Sequence, residues 1–104
     1  MSPQTQFGSG DIVIVADDLV VEVFDRSRIG SFRLPAAWIG VQVKPARHEQ
    51  IEVQFGIADD PAQPVYGEDV TLYDVRTEFH LPATEEPALR AFFIDVARRA
   101  GRPA

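Results

Sequence analysis

From Asp11 to Leu81 the apolar residues recur with period two, and they are mostly β-branched: Val and Ile outnumber Leu by 19 to 5 over the chain. Such side chains fit a pleated, half-buried surface, so this region reads as strands. Asp11–Ala16 and Leu19–Phe24 are predicted to be the arms of a hairpin around Asp17-Asp18, a pair that tolerates the positive φ of a tight turn. A polar turn, Phe24-Asp25-Arg26-Ser27, leads to a third strand over Arg28–Leu34, which Pro35 stops because proline has no N–H for the ladder. Trp38–Lys44 is the fourth, with Ile39, Val41 and Val43 on one face and Pro45 at its end. The fifth alternates most cleanly, with Ile51, Val53, Phe55 and Ile57 on one face and Gln50, Glu52, Gln54 and Gly56 on the other. Residues 58–69 carry Asp59, Asp60, Pro61, Pro64, Gly67, Glu68 and Asp69 and read as a long loop too polar to bury. Val70–Leu81 resumes the β pattern, with Asp74 expected to divide it into two shorter strands.

The period then changes to that of a helix. Leu89, Phe92, Phe93, Val96, Ala97 and Ala100 follow the spacing of one helical face, whereas Ile94 falls off that stripe and is predicted to be exposed. Thr84 is the expected N-cap, Glu85 and Glu86 suit the positive end of the macrodipole, and Pro87 sits in the first turn, where no backbone donor is missed. Arg98 and Arg99 favour the negative end, Gly101 supplies a left-handed cap and Pro103 blocks continuation.

At 104 residues there is room for one core, so residues 11–104 are expected to form a single domain. Residues 1–10, rich in Ser, Gln and Gly, are expected to be a flexible segment apart from Phe7. The start lacks a basic n-region, and the longest apolar run, Ile12–Ala16, is five residues, which predicts a cytoplasmic protein with neither signal peptide nor anchor. The absence of cysteine excludes disulfides, thiolate metal sites and thiol catalysis. A net charge of −6 opposes nonspecific attraction to nucleic acid and to anionic membranes.

Six or seven short antiparallel strands closed by one amphipathic helix at about 84–100 point to a mainly β fold: a strongly bent sheet or partly open barrel whose open end the helix plugs. In its order of elements, with the hairpin Asp11–Phe24, strands through Ile57, a last strand ending His80-Leu81-Pro82 and then Thr84–Gly101, the chain resembles the small bacterial members of the pleckstrin-homology-like (PH-like) superfold. The resemblance implies a binding or scaffold module. The first hairpin loop is Asp17-Asp18, where phosphoinositide-binding members carry basic residues. The only Trp, Trp38, lies in a strand, where many members place one in the closing helix. The resemblance therefore speaks against the lipid-binding subset.

Chemistry-bearing residues are sparse, and no cofactor is implied. Arg26, Arg28, Arg33, Lys44 and Arg47 place five of ten basic residues in one window, from which Arg26, Arg28, Lys44 and Arg47 are candidates for gripping a phosphate or lipid head group. Ile94 and Trp38 are candidate contacts for a protein partner or a second copy of the chain. His80 shares a face with Glu78 and Arg76 by period two, the one arrangement suggesting a small enzyme, while Asp59-Asp60 and Glu68-Asp69 lack the ligand spacing of a calcium loop. The leading expectation is a non-catalytic module acting through protein contacts, using the closing helix or an exposed strand edge.

Overall fold

The computed structural model describes residues 4–104, which form eight strands in two four-stranded sheets and one C-terminal helix. The first sheet is an antiparallel meander of β1 (Thr5–Ser9), β2 (Ile12–Ala16), β3 (Val20–Asp25) and β4 (Gly30–Pro35). The second contains β5 (Ile39–Ala46), β6 (Gln50–Ala58), β7 (Tyr66–Gly67) and β8 (Leu72–Pro82), in the order β7-β5-β6-β8. Among the described strands only β7 runs parallel to its neighbour, β5. The mainly β class with a closing helix is as expected, but neither sheet closes into a barrel. The core lies between the sheets, where Ile14, Val21 and Val23 from the first meet Ile39, Val41, Val53 and Phe55 from the second, all buried.

Thr5–Ser9, in the segment expected to be flexible apart from Phe7, forms the edge strand β1, and Met1, Ser2 and Pro3 lie outside the described residues. The reason is Phe7. Its buried ring lies 6.3 Å from that of Phe92 on the helix, while the backbone pairs in register with Ile14 on β2. Gly10, at φ 56°, makes the short turn into β2 that this pairing needs.

The Asp17-Asp18 turn forms by a different device from the one expected. Neither residue has positive φ; Asp17 Oδ1 accepts hydrogen bonds from the Leu19 and Val20 amides at 2.8 and 2.9 Å, so the side chain closes the turn. Those two donors hold its carboxyl below the usual Asp range.

Residues 59–71 are less exposed than their composition suggests. Val65 and Val70 are buried, and Tyr66–Gly67 pairs with β5, so the loop covers the edge of the second sheet. Asp74 does not break the last strand; β8 runs for eleven residues. The irregularity appears as register shifts opposite Phe55/Gly56 and Ile57/Ala58, which make Arg76 and Tyr73 the extra residues of two bulges. The bulged backbone presses on β6 so closely that a Cβ on Gly56 would sit 2.0 Å from the Asp74 carbonyl oxygen.

The helix α1 (Glu86–Arg99) follows a single 3₁₀ turn, Ala83–Glu85, which displaces the expected cap: Thr84 lies inside that turn, and Glu85 occupies the N-cap with no side-chain hydrogen bond. The C-terminal signals act as predicted. Gly101 is left-handed at φ 71°, its amide donates to Arg98 O, and the Arg102 amide donates to Ala97 O at 2.8 Å, which completes a Schellman motif. Phe92 and Phe93 are neighbours about 100° apart around the helix and face different elements. Phe92 reaches Phe7 of the first sheet; Phe93 stacks on Tyr66 of the second at 5.9 Å. Beyond the helix, Arg102 Nη1 donates to the Ala36 and Ile39 carbonyls and fastens the tail to the link between the sheets. No described helix is long and apolar enough to cross a membrane.

Two stability predictions follow from this packing. Phe93→Ala should cost about 3–5 kcal/mol in denaturant titration and Ile94→Ala well under about 1 kcal/mol, and equal costs would contradict the helix orientation. Gly56→Ala should cost more than about 2 kcal/mol, because the colliding atom is backbone and cannot turn aside.

Candidate functional site

Three surface features carry chemistry. The first is a cleft of about 360 Å³ between the β1–β2 turn, the 3₁₀ turn Arg26–Arg28 and β8, lined by Asp11, Asp25, Ser27, Arg28, Glu78 and His80 among others. Asp25 organises it: buried, it accepts from the Ser27 amide at 3.0 Å and the Ser27 hydroxyl at 2.6 Å, and Arg28 Nε stands 3.6 Å from its other oxygen. The Arg26 amide donates to Asp11 O, which closes the corner onto β2. The sequence shows Asp25 only as a member of a polar turn, where a single Asp has no periodicity to mark it as buried.

The second feature is a polar row across the outer face of the second sheet. Register places Lys44 opposite Glu52 and Glu52 opposite His80, with Gln42, Gln54 and Glu78 forming the next row. Glu78 and His80 therefore share a face as predicted, but Arg76 leaves it: the bulge turns it aside, and it pairs with Asp74 at 2.9 Å. The addition that sequence spacing could not supply is Glu52, whose ligand atom lies within 4.8 Å of those of Glu78 and His80. Only the antiparallel pairing of β6 with β8 unites them, 26 and 28 residues apart in the chain. Gln54 Nε2 donates to Glu78 at 3.1 Å. The two carboxyls are in hydrogen-bonding reach of each other, so the pair retains a proton to higher pH than a lone Glu, with Glu52 raised by its bond to Glu78. No comparable gathering occurs at Asp59, Asp60, Glu68 and Asp69 among the described residues; Asp60 accepts from the Ala62 amide within its own turn.

The third feature is an apolar corner on the outer face of the first sheet. Gly8, Val13, Phe24 and Ser31 lie side by side in register, so Val13 and Phe24 are covered by neither neighbour. Beside them Ile29 is 95% exposed and left-handed at φ 49°, and a shallow groove runs between Val13, Phe24, Arg26, Ile29 and Ser31.

The basic window is dispersed. Arg26 borders this groove, Arg28 the first cleft, Arg33 faces Glu22 across β3–β4, Lys44 faces Glu52, and Arg47 borders a separate hollow with His48 and His80. Strand alternation and the turn between β4 and β5 send these side chains in different directions, and among the described residues no one cavity collects Arg26, Arg28, Lys44 and Arg47. Trp38, placed in a strand from sequence, immediately precedes β5 and is 56% exposed. Ile94 is exposed as expected, on a helix surface otherwise crossed by the pairs Glu86–Arg90, Asp95–Arg98 and Asp95–Arg99. No protein-family model, curated protein or solved structure matches the chain.

The Glu52–Glu78 contact predicts a pH-dependent stability difference. A carboxyl whose folded pKa is raised contributes stability at low pH that is lost as pH rises through that pKa. Glu52→Gln should therefore raise the melting temperature at pH 7, where the amide still donates to Glu78 without a second charge. Its advantage should shrink as pH falls towards 4, and melting scans across this range in chelator-treated buffer check the slope.

Proposed function

We propose that the protein is a non-catalytic binding module that takes up an extended segment of a partner protein along the free edge of β4. The observation that carries this reading is Ile29. A β-branched side chain in the left-handed region costs about 1–2 kcal/mol; Ile29 takes it up as the cap of the Arg26–Arg28 turn, and at 95% exposure its side chain makes no packing contact that would offset the cost. A contact made outside the fold accounts for both the strain and the exposure.

The neighbourhood supports an extended ligand. Among the described residues β4 pairs with β3 alone, and it keeps regular register over six residues, Gly30 to Pro35, with Arg33 its only charge. The edge of β8 is instead broken by two bulges and guarded by the Asp74–Arg76 pair, as sheets protect edges that must stay unpaired. β1 is packed against the helix. A strand added to β4 would gain main-chain hydrogen bonds, and its alternate apolar side chains would settle over Phe24 and Ile29. The helix, with one large exposed hydrophobic residue among ion pairs, offers less, and the acids around Arg28 work against the phosphate reading. A meander, a second sheet and a closing helix are compatible with a PH-like arrangement, in keeping with a binding module.

Peptides selected on the immobilised protein from a random display library should be extended and apolar at alternate positions. Their affinity should fall at least tenfold with Ile29→Gly or Phe24→Ser and be unchanged with Ile94→Asp, while β4 amides gain protection from hydrogen exchange on binding. Ile29→Gly should meanwhile stabilise the free protein by about 0.5–1 kcal/mol, since glycine adopts this φ without strain. Binders indifferent to both substitutions, or leaving β4 unprotected, would overturn the reading.

A further inference from the structure

We propose that Glu52, Glu78 and His80 form a binding site for a divalent transition-metal ion of the Zn²⁺ type on the outer face of the second sheet. This inference is independent of the β4 edge, which lies on the other sheet. It starts from the gap between His80 and the two carboxylates. One oxygen from each carboxylate and one imidazole nitrogen lie within 4.8 Å of one another, yet His80 forms no ion pair with either Glu at 4.0 Å or less. The imidazole is thus too far away to touch the acids and near enough to share an ion with them. Three atoms no more than 4.8 Å apart surround a point within about 2.8 Å of each, so small side-chain rotations reach the bond lengths of about 2.0–2.2 Å that Zn²⁺ requires.

The placement is built into the sheet. Glu52 and His80 are directly opposed across β6–β8, and Glu78 is two residues before His80 on the same strand, so the donors come from adjacent, rigid strands. Lys44, opposite Glu52 on the other side, pairs with neither carboxylate, and Arg28, which lines the same cleft as Glu78, is drawn instead to Asp25. Gln54 donates to Glu78 and holds it in place, the kind of support that orients a metal ligand. An imidazole beside two carboxylates selects against Ca²⁺ and Mg²⁺, which prefer all-oxygen shells, and in favour of Zn²⁺, Co²⁺ or Ni²⁺. His80 borders the Asp25–Arg28 cleft on one side and the hollow beside Arg47 and His48 on the other, so positions beyond the three protein ligands are open to water.

The test uses the tag-free, chelator-stripped chain titrated with ZnCl₂ by calorimetry and with CoCl₂ by visible absorption. One equivalent should bind saturably, at least tenfold more weakly in His80→Ala, Glu78→Gln and Glu52→Gln, and equally well in His48→Ala, which removes the neighbouring imidazole. Circular dichroism on each variant confirms folding, which these solvent-facing positions should leave intact. Equal millimolar MgCl₂ or CaCl₂ should not displace the ion. Absence of saturable binding up to millimolar metal, binding unchanged by the three substitutions, or dependence on His48 in place of His80 would each overturn the assignment.

Discussion

The fold depends on a file of four aromatic rings, Phe7, Phe92, Phe93 and Tyr66, that runs from the edge of one sheet through the helix to the edge of the other. Two sheets that do not close into a barrel leave a gap at one side, and apolar side chains there would face water. Phe92 and Phe93 meet edge to face at 5.1 Å, so a single turn of helix fills that gap in both directions. The surrounding polar contacts hold the helix in this position: Arg99 pairs with Asp18 in the β2–β3 turn at 2.7 Å, and the Tyr66 hydroxyl donates to Glu86, which Arg90 also engages. Burial and that acceptor push the Tyr66 hydroxyl well above the ordinary tyrosine range, so it remains a donor.

Much of this was legible from periodicity. The alternation over Ile51–Phe55, which ends where the β8 bulges bury Gly56, and the helical stripe from Leu89 to Ala100 each report one side of an element packed against a core. Four things were not legible, three of them because they arise between elements. Phe7 lies in a segment whose composition suggests disorder, and only the available edge of β2 makes it a strand. The Asp17 turn looked like a backbone solution and proved to be a side-chain one. The bulges on β8 shift the period partway along the strand, which removes Arg76 from the row that period two assigns it. The Glu52–Glu78–His80 group was hidden for the same reason: its spacing exists across strands and nowhere along the chain.

The closed interior also explains where function can reside. Most inward-facing positions are committed to the core, and the two proposed sites lie on outward faces, at a strained apolar corner on one sheet and an acidic-imidazole row on the other. Neither improves the fold. Ile29 sits in an unfavourable conformation in full contact with water, and two carboxyls face each other with a lysine close by that neither engages. The corner is framed by β2, β3 and β4 and the row by β6 and β8, so both are preformed, and relieving either is expected to stabilise the free protein.

The most direct measurement of the central claim is native-state hydrogen exchange with increasing denaturant. If the aromatic file makes the helix and both sheets one cooperative unit, the amides of Phe92, Phe93 and Val96 will exchange only through global unfolding, at the same free energy as those of Val41 and Val53 in the second sheet and Ile14 in the first. Helix amides that exchange at a clearly lower free energy, while the sheets stay protected, would show that the helix detaches on its own and that the sheets hold together without it.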